Sequence, residues 1–208
     1  HVLDHSIPLH SGYTFRTLSI LREQHRRGWE TVQLTTPKQG VSTEREQAVD
    51  GLTFYRTPSA EGAGLLTQMR LTADRLAEVI DATSPDLIHA HSPVLNALPS
   101  LWVGRRKRLP VVYEMRASWE DAAVDHGTTS EGSLRYRMSR ALESFALRRA
   151  DQITTICEGL KADIAVRGIS EDRLISDHII PTVELDPLPV GAADRRDFDT
   201  ILATTERQ

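Results

Sequence analysis

The sequence predicts an α/β fold of the Rossmann-like, doubly wound kind: a mostly parallel sheet with helices on both faces. Three observations carry this. Short apolar runs alternate with stretches of helical periodicity along nearly the whole chain. Glycine and proline fall at the junctions between them, as at Gly28, Pro37, Pro58 and Pro85. Four of the runs end in polar residues: Val2-Leu3 before Asp4-His5, Ile88 before His89-Ala-His91, Val111–Tyr113 before Glu114-Met-Arg116, and Ile153–Ile156 before Cys157-Glu-Gly159. In an open parallel sheet, ligands bind outside the carboxyl ends of the strands, so neighbouring strands of this kind gather those groups on one rim.

Each element has its own signal. Val2-Leu3 opens the first strand, and Thr14–Arg27 reads as a helix with Phe15, Leu18 and Leu21 on one face, Thr14 as N-cap and Gly28 past its end. Trp29–Thr36 and Gly51–Thr57 read as strands two and three, with Lys38–Asp50 between them as a loop or short helix. Leu65–Ala82 is a helix whose Leu66, Met69, Leu76, Val79 and Ile80 suit a core. Asp86–His91 is the central strand, Val94–Val103 a shorter helix, and Gly104 the point where a basic turn reverses. The segment 114–127 lacks a clean period and reads as a functional loop. Ser130–Arg149 reads as a long amphipathic helix turning Leu134, Met138, Leu142, Phe145 and Ala146 to the sheet. Strand Gln152–Ile156, helix Glu158–Val166 and strand Leu174–Ile180 follow. Residues 1–185 are thus expected to form one domain, and 186–208 a linker or truncated tail.

Composition narrows the function. The 208 residues carry 25 Lys and Arg against 29 Asp and Glu, a net charge of −4, and the basic run Arg105-Arg-Lys-Arg108 is too short to suggest a nucleic-acid partner. One cysteine cannot close an internal disulfide and suits a reducing compartment. No apolar run approaches the ~20 residues that span a bilayer, so a cytoplasmic location is expected, with peripheral contact at the inner face of the membrane left open.

The polar residues allow several chemistries. His89 and His91 alternate on a strand and point the same way, which suits a metal pair completed by Asp4, His5, His10 or Glu114 and hence a metal-dependent hydrolase. Cys157 has no nucleophile elbow around it and reads as a small buried thiol. Gly12, in the turn before the first helix, suits an anion at a helix N-terminus or merely a tight turn. Glu114, Arg116 and Trp119-Glu-Asp121 suit a polyhydroxylated ligand or a surface salt-bridge cluster.

Four motifs in order, Asp4–Arg16, Asp86–Pro93, Tyr113–Asp121 and Ala150–Leu160, make the chain resemble the amino-terminal half of a family 4 (group 1) glycosyltransferase, most similar to the bacterial branch associated with exosortase and exopolysaccharide genes. The resemblance covers about residues 1–185. It implies one half of a GT-B fold and a retaining, metal-independent transferase, with no cofactor beyond a nucleotide-sugar co-substrate. The acceptor would be a saccharide or a lipid-linked saccharide. It further implies that Gly12 approaches the donor diphosphate, that His91 lies near the reacting sugar as the catalytic residue, and that His10, Arg16, His89, Glu114, Arg116 and Trp119 serve the acceptor side.

Two departures qualify it. The pair of glutamates separated by seven residues that grips the donor in the family has no counterpart, and Thr182 replaces the usual asparagine of the Ile-Pro-Asn hinge. The expectation is therefore an acceptor-binding domain that needs a carboxyl-terminal donor domain to transfer sugar. A non-catalytic binding domain on the same scaffold is the alternative, and a homodimer is left open.

Overall fold

The computed structural model describes residues 1–40 and 44–176. Eight strands form one sheet: β1 (Val2–Leu3), β2 (Gln33–Thr35), β3 (Glu46–Val49), β4 (Leu52–Arg56), β5 (Ile88–His91), β6 (Val111–Met115), β7 (Gln152–Thr155) and β8 (Leu174–Ser176). Their order is β3-β4-β2-β1-β5-β6-β7-β8, and every pairing is parallel except the β3–β4 hairpin. The chain order reverses between β1 and β5, which is the switch point where such sheets open a crevice for ligands.

Among the described residues six α-helices connect the strands: α1 (Gly12–Arg26), α2 (Leu65–Thr83), α3 (Val94–Lys107), α4 (Trp119–Asp125), α5 (Leu134–Arg149) and α6 (Glu158–Val166). Adjacent strand residues point to opposite faces, and β1 shows both. Val2 packs with Leu34, Ile88 and Val111 against Ala73, Leu76, Val79 and Ile80 of α2 and Val103 of α3. Leu3 packs on the other side with Phe54 against Leu18 and Leu21 of α1. A third cluster joins Ala90, Tyr113, Met115 and Ile153 to Ala97, Ala146, Leu147 and Ile164 of α3, α5 and α6. The expected doubly wound sheet with helices on both faces is what the chain forms.

Several expectations about single elements are corrected. The N-cap of α1 is Ser11, not Thr14: Ser11 Oγ accepts from Thr14 N at 3.1 Å, and Phe15 is exposed against His10. Residues 46–49 form the antiparallel edge strand β3, held to β4 from Val49↔Leu52 to Glu46↔Tyr55, where a loop or short helix is expected. Its turn is Asp50-Gly51, both at positive φ, a hairpin signal that the polar composition of the segment conceals. Helix α3 runs through Gly104 to Lys107, and the chain reverses at Arg108, with φ of 59°. Gly104 instead permits close packing: a Cβ there would lie 2.5 Å from Val111 Cγ2 and 3.0 Å from the Leu109 carbonyl.

The segment after β6 contains the short helix α4 and not only loop. Most unexpected is α5. Leu134, Met138, Leu142 and Phe145 face outward, and Glu143, Ser144, Ala146 and Leu147 face inward. The inward face holds a carboxylate because Glu143 Oε1 accepts from the buried Tyr113 hydroxyl at 2.6 Å, while the small Ala146 admits close contact. Cys157 is exposed, not buried, as the residue preceding α6. The last strand is described only as Leu174–Ser176, and the expected linker at 186–208 lies outside the described residues.

Candidate functional site

The register of β5 on β6 builds the site. His91 pairs with Glu114, so the end of β5 and the end of β6 bring an imidazole and a carboxylate side by side under α1. Two residues further on, Arg116 turns its guanidinium into the same layer. His91 and Glu114 are each 1% exposed and Arg116 is 6% exposed, so the cluster is buried between sheet and helix.

Glu114 is its anionic centre. Its Oε1 accepts from Arg16 Nε at 3.0 Å and its Oε2 from Arg116 Nη2 at 2.9 Å, and His91 Nδ1 lies 2.5 Å from Oε2. Arg116 also reaches the first turns of α1, donating from Nη1 to the Tyr13 carbonyl at 3.2 Å and from Nη2 to Thr17 Oγ1 at 3.1 Å. One ion-paired group thereby fixes the N-terminal part of α1 over the sheet. Burial would raise the Glu114 pKa, but the hydrogen bond from His91 and the permanent charge of Arg116 outweigh it and hold the carboxylate well below its usual range.

The histidines form a stack. His89 lies over His91 with ring centroids 4.3 Å apart, and His1 lies within 5.1 Å of each. His91 Nδ1 is 2.5 Å from Arg116 Nη2, His91 Nε2 is 2.8 Å from His1 Nδ1, and His1 Nε2 is 2.8 Å from Gln24 Oε1. Arg116 Nη2 gives its two hydrogens to Glu114 and Thr17, so neutral His91 donates from Nδ1 to Glu114 Oε2 and accepts at Nε2 from His1 Nδ1, which ties the stack to the carboxylate. Burial, reinforced by the Arg116 charge, lowers the His91 pKa to about 4. Burial first, then the proximity of His91, holds His89 well below the ordinary histidine value. Both rings are therefore neutral at neutral pH.

Three nitrogens in this layer are buried without a hydrogen-bond partner: Arg16 Nη2, Arg116 Nε and His89 Nε2. A buried donor without a partner is costly, on the order of 1–3 kcal/mol, and such groups collect where another molecule completes them.

The outer part of the site is aromatic and more open. Tyr13 and Trp119 stack with centroids 6.2 Å apart and planes at 17°, and the Arg116 guanidinium lies 5.5 Å from the Tyr13 ring. Gly12 is exposed as the first residue of α1, and a Cβ there would meet nothing within 4 Å. His5 Nε2 is 2.8 Å from Ser11 Oγ beside it.

Of the residues singled out from sequence, Arg16, His89, His91, Glu114 and Arg116 come together in one buried cluster. Gly12 and Trp119 border it through α1 and Tyr13. His10 does not join it: it is exposed and stacks on Phe15 at 5.7 Å. His1, Tyr13, Thr17 and Gln24 belong to the site and escaped sequence reasoning. Thr17 and Gln24 share a helix face with Tyr13 at spacings of four and seven, a polar stripe that was legible in principle. A third histidine, His1, stands beside the His89–His91 pair, with ligand atoms of the three within 4.8 Å of one another; of the completing residues expected from sequence Glu114 is there too, its Oε2 2.5 Å from His91 Nδ1 and 3.9 Å from His89 Nε2.

The fold recurs in a UDP-N-acetylglucosamine 2-epimerase from Rickettsia bellii, with a TM-score of 0.54 and 9% identity over 84% of this chain and 43% of that one. A protein assigned as a UDP-N-acetylglucosamine 2-epimerase from Listeria monocytogenes aligns over 57% of this chain and 29% of its own, at 14% identity and a TM-score of 0.42. The present chain thus spans less than half the length of either, and no curated protein matches its sequence. The family model described as "Glycosyl transferase 4-like domain" matches residues 11–176, which take in α1, the cluster and every described strand but β1. By this match the chain belongs to the glycosyl transferase 4-like domain family.

Proposed function

We propose that this chain is the acceptor-side, amino-terminal domain of a retaining, metal-independent glycosyltransferase that uses a nucleotide-sugar donor. The observation that carries the reading is the Arg16–Glu114–Arg116 cluster at the carboxyl end of β6, with the Tyr13–Trp119 pair beside Arg116. Guanidinium groups and stacked rings suit a sugar: hydroxyls accept from the cations, and the apolar face of a pyranose packs on an aromatic ring. Gly12, exposed at the start of a helix, suits the donor diphosphate.

His91, which the sequence resemblance puts near the reacting sugar, is held between Glu114, Arg116 and His1. Acceptors of saccharide or lipid-linked type, and a role in exopolysaccharide or cell-surface glycan synthesis, follow from the sequence resemblance. A second domain would hold the donor, in keeping with a chain that spans 43% of the epimerase structure. Comparing donor-dependent transfer by the 208-residue chain with transfer by the product of the whole reading frame that encodes it tests this. Transfer is expected only from a form with a donor-binding domain, and robust transfer by the 208-residue chain sinks the reading.

A second reading has one observation in its favour, the His1–His89–His91 trio. A divalent ion there would have to break the His1–His91 hydrogen bond and sit near the fixed charge of Arg116. Stoichiometric zinc or manganese in the purified protein, lost in His89→Ala, would replace the transferase reading with the metal hydrolase.

A further inference from the structure

Helix α5 carries its apolar stripe on the outside. Leu134, Met138, Leu142 and Phe145 recur at helical spacing and are 74%, 57%, 45% and 44% exposed. The stripe ends at a groove of about 620 Å³ between α3 and α5, where Phe145 is joined by Leu98, Leu101 and Trp102, the last itself 51% exposed. Scattered surface leucines need no explanation, but a continuous stripe that runs into an apolar groove marks an interaction site.

The charge around it is mainly positive: the one carboxylate lining the groove, Asp151, accepts from Val111 N at 2.7 Å. Arg105, Arg106 and Arg108 at the end of α3, and Arg148 and Arg149 at the end of α5, are exposed, and none is ion-paired among the described residues. Arg106 lies 4.8 Å from the Trp102 ring and Arg149 lies 4.3 Å from the Phe145 ring. The one acidic residue in either helix is Glu143, which is buried. A chain of net charge −4 therefore presents a locally cationic face studded with aromatic and aliphatic side chains.

We propose that the outer face of α3 and α5 is a docking surface for an anionic lipid bilayer, on which the protein lies without crossing it. Apolar side chains that enter the boundary between headgroups and acyl chains, flanked by cations that meet the anionic headgroups, are the components such binding requires. No helix among the described residues is long and apolar enough to span a bilayer, so the contact is interfacial. A second copy fits poorly, because a twofold contact would set the same cations against each other. Nucleic acid leaves the leucine, methionine and phenylalanine stripe without a partner. The groove is closed by Leu109, Pro110 and Val111, at the start of β6, so docking there leaves the other end of that strand, with Glu114 and Arg116, clear of the bilayer.

Flotation with vesicles tests this, and the readout is independent of any sugar transfer. The full chain is expected to float with equimolar phosphatidylglycerol and phosphatidylcholine, not with phosphatidylcholine alone, and to be released as salt rises. Leu142→Glu with Phe145→Glu, and separately Arg105→Glu with Arg106→Glu, are each expected to weaken binding on the order of tenfold or more. All four positions are exposed, so an unchanged circular dichroism spectrum accompanies the loss. The proposal is overturned by absence of binding, by binding that both double variants retain, by a dimer that Leu142→Glu dissolves, or by tighter binding to a duplex oligonucleotide than to the vesicles.

Discussion

Arg116 folds back onto Glu114, two residues earlier in the chain, and donates from Nη2 to Oε2 at 2.9 Å while the other carboxylate oxygen takes Arg16 from α1 at 3.0 Å. One buried carboxylate thus neutralises two cations drawn from different elements. Removing one partner of such a set leaves charge buried and uncompensated, which costs more than the pair contributes when intact. Glu114→Ala is therefore expected to destabilise the fold by about 3–5 kcal/mol, read as a lower denaturant midpoint. Arg16→Ala, which leaves the Arg116 pair in place, is expected to cost less. Equal losses from the two variants would mean that Glu114 is not the shared anchor.

The packing of α3 on β6 gives a second expectation. Gly104 sits where a Cβ would lie 2.5 Å from Val111 Cγ2, closer than such atoms approach. Gly104→Ala favours the helix intrinsically, by up to about 1 kcal/mol, yet the clash needs a backbone shift that costs typically 1–3 kcal/mol. A net loss of thermal stability is expected. Val111→Ala in the same chain should restore part of it, because the atom that the new methyl meets is then gone.

How legible this arrangement was depends on what each signal reports. Strands that are buried on both faces declare themselves by composition, so Val2-Leu3, Ile88–His91 and Val111–Met115 were readable, as was the rim where their ends meet. The hairpin strand Glu46–Val49 was not, because an edge strand is polar and its burial alternates only weakly. Helix α5 misled for the opposite reason. Its strongest apolar stripe faces solvent, and its core face contains Glu143 and Ser144, residues that periodicity assigns to the surface. In the site, residue types at strand ends were enough to find Glu114, Arg116, His89 and His91. Their burial, the hydrogen bond between His91 and His1, and the contribution of Tyr13 and Gln24 depend on how α1 lies across the sheet, and no local pattern encodes that.

Two buried acids and bases pull stability in opposite directions with pH. Burial lowers His91 to about 4, so the unfolded chain takes up a proton first and acidification from its ordinary value of 6.5 toward 4 favours unfolding. Burial raises Glu143 to about 7, so the folded chain keeps its proton while the unfolded chain loses it, and stability falls as pH rises from 4.5 toward 7. Glu143→Gln keeps an acceptor for the Tyr113 hydroxyl and removes the second effect. The variant is expected to gain stability relative to the parent at about pH 8, by on the order of 1–3 kcal/mol, and to lose more than the parent when acidified to about pH 5. Parallel stability profiles for the two proteins would mean that Glu143 is ionised in the folded state.

Gly12 allows the fold and the proposed chemistry to be tested apart. Nothing in the chain requires a glycine there: its φ is not in the left-handed region, and an added Cβ would meet no atom within 4 Å. It opens α1, where alanine is a better helix former than glycine by up to about 1 kcal/mol. Gly12→Ala should therefore leave stability unchanged or slightly raised. A side chain at that position nonetheless occupies the space that a diphosphate would need to reach the helix N-terminus. In a form of the proposed transferase that includes a donor-binding domain, Gly12→Ala is expected to raise KM for the nucleotide-sugar several-fold, and the bulkier Gly12→Val by more, while KM for the acceptor holds. If both variants keep the parent KM for the donor, the donor diphosphate does not approach α1, and the glycine is only a permitted residue at an exposed turn.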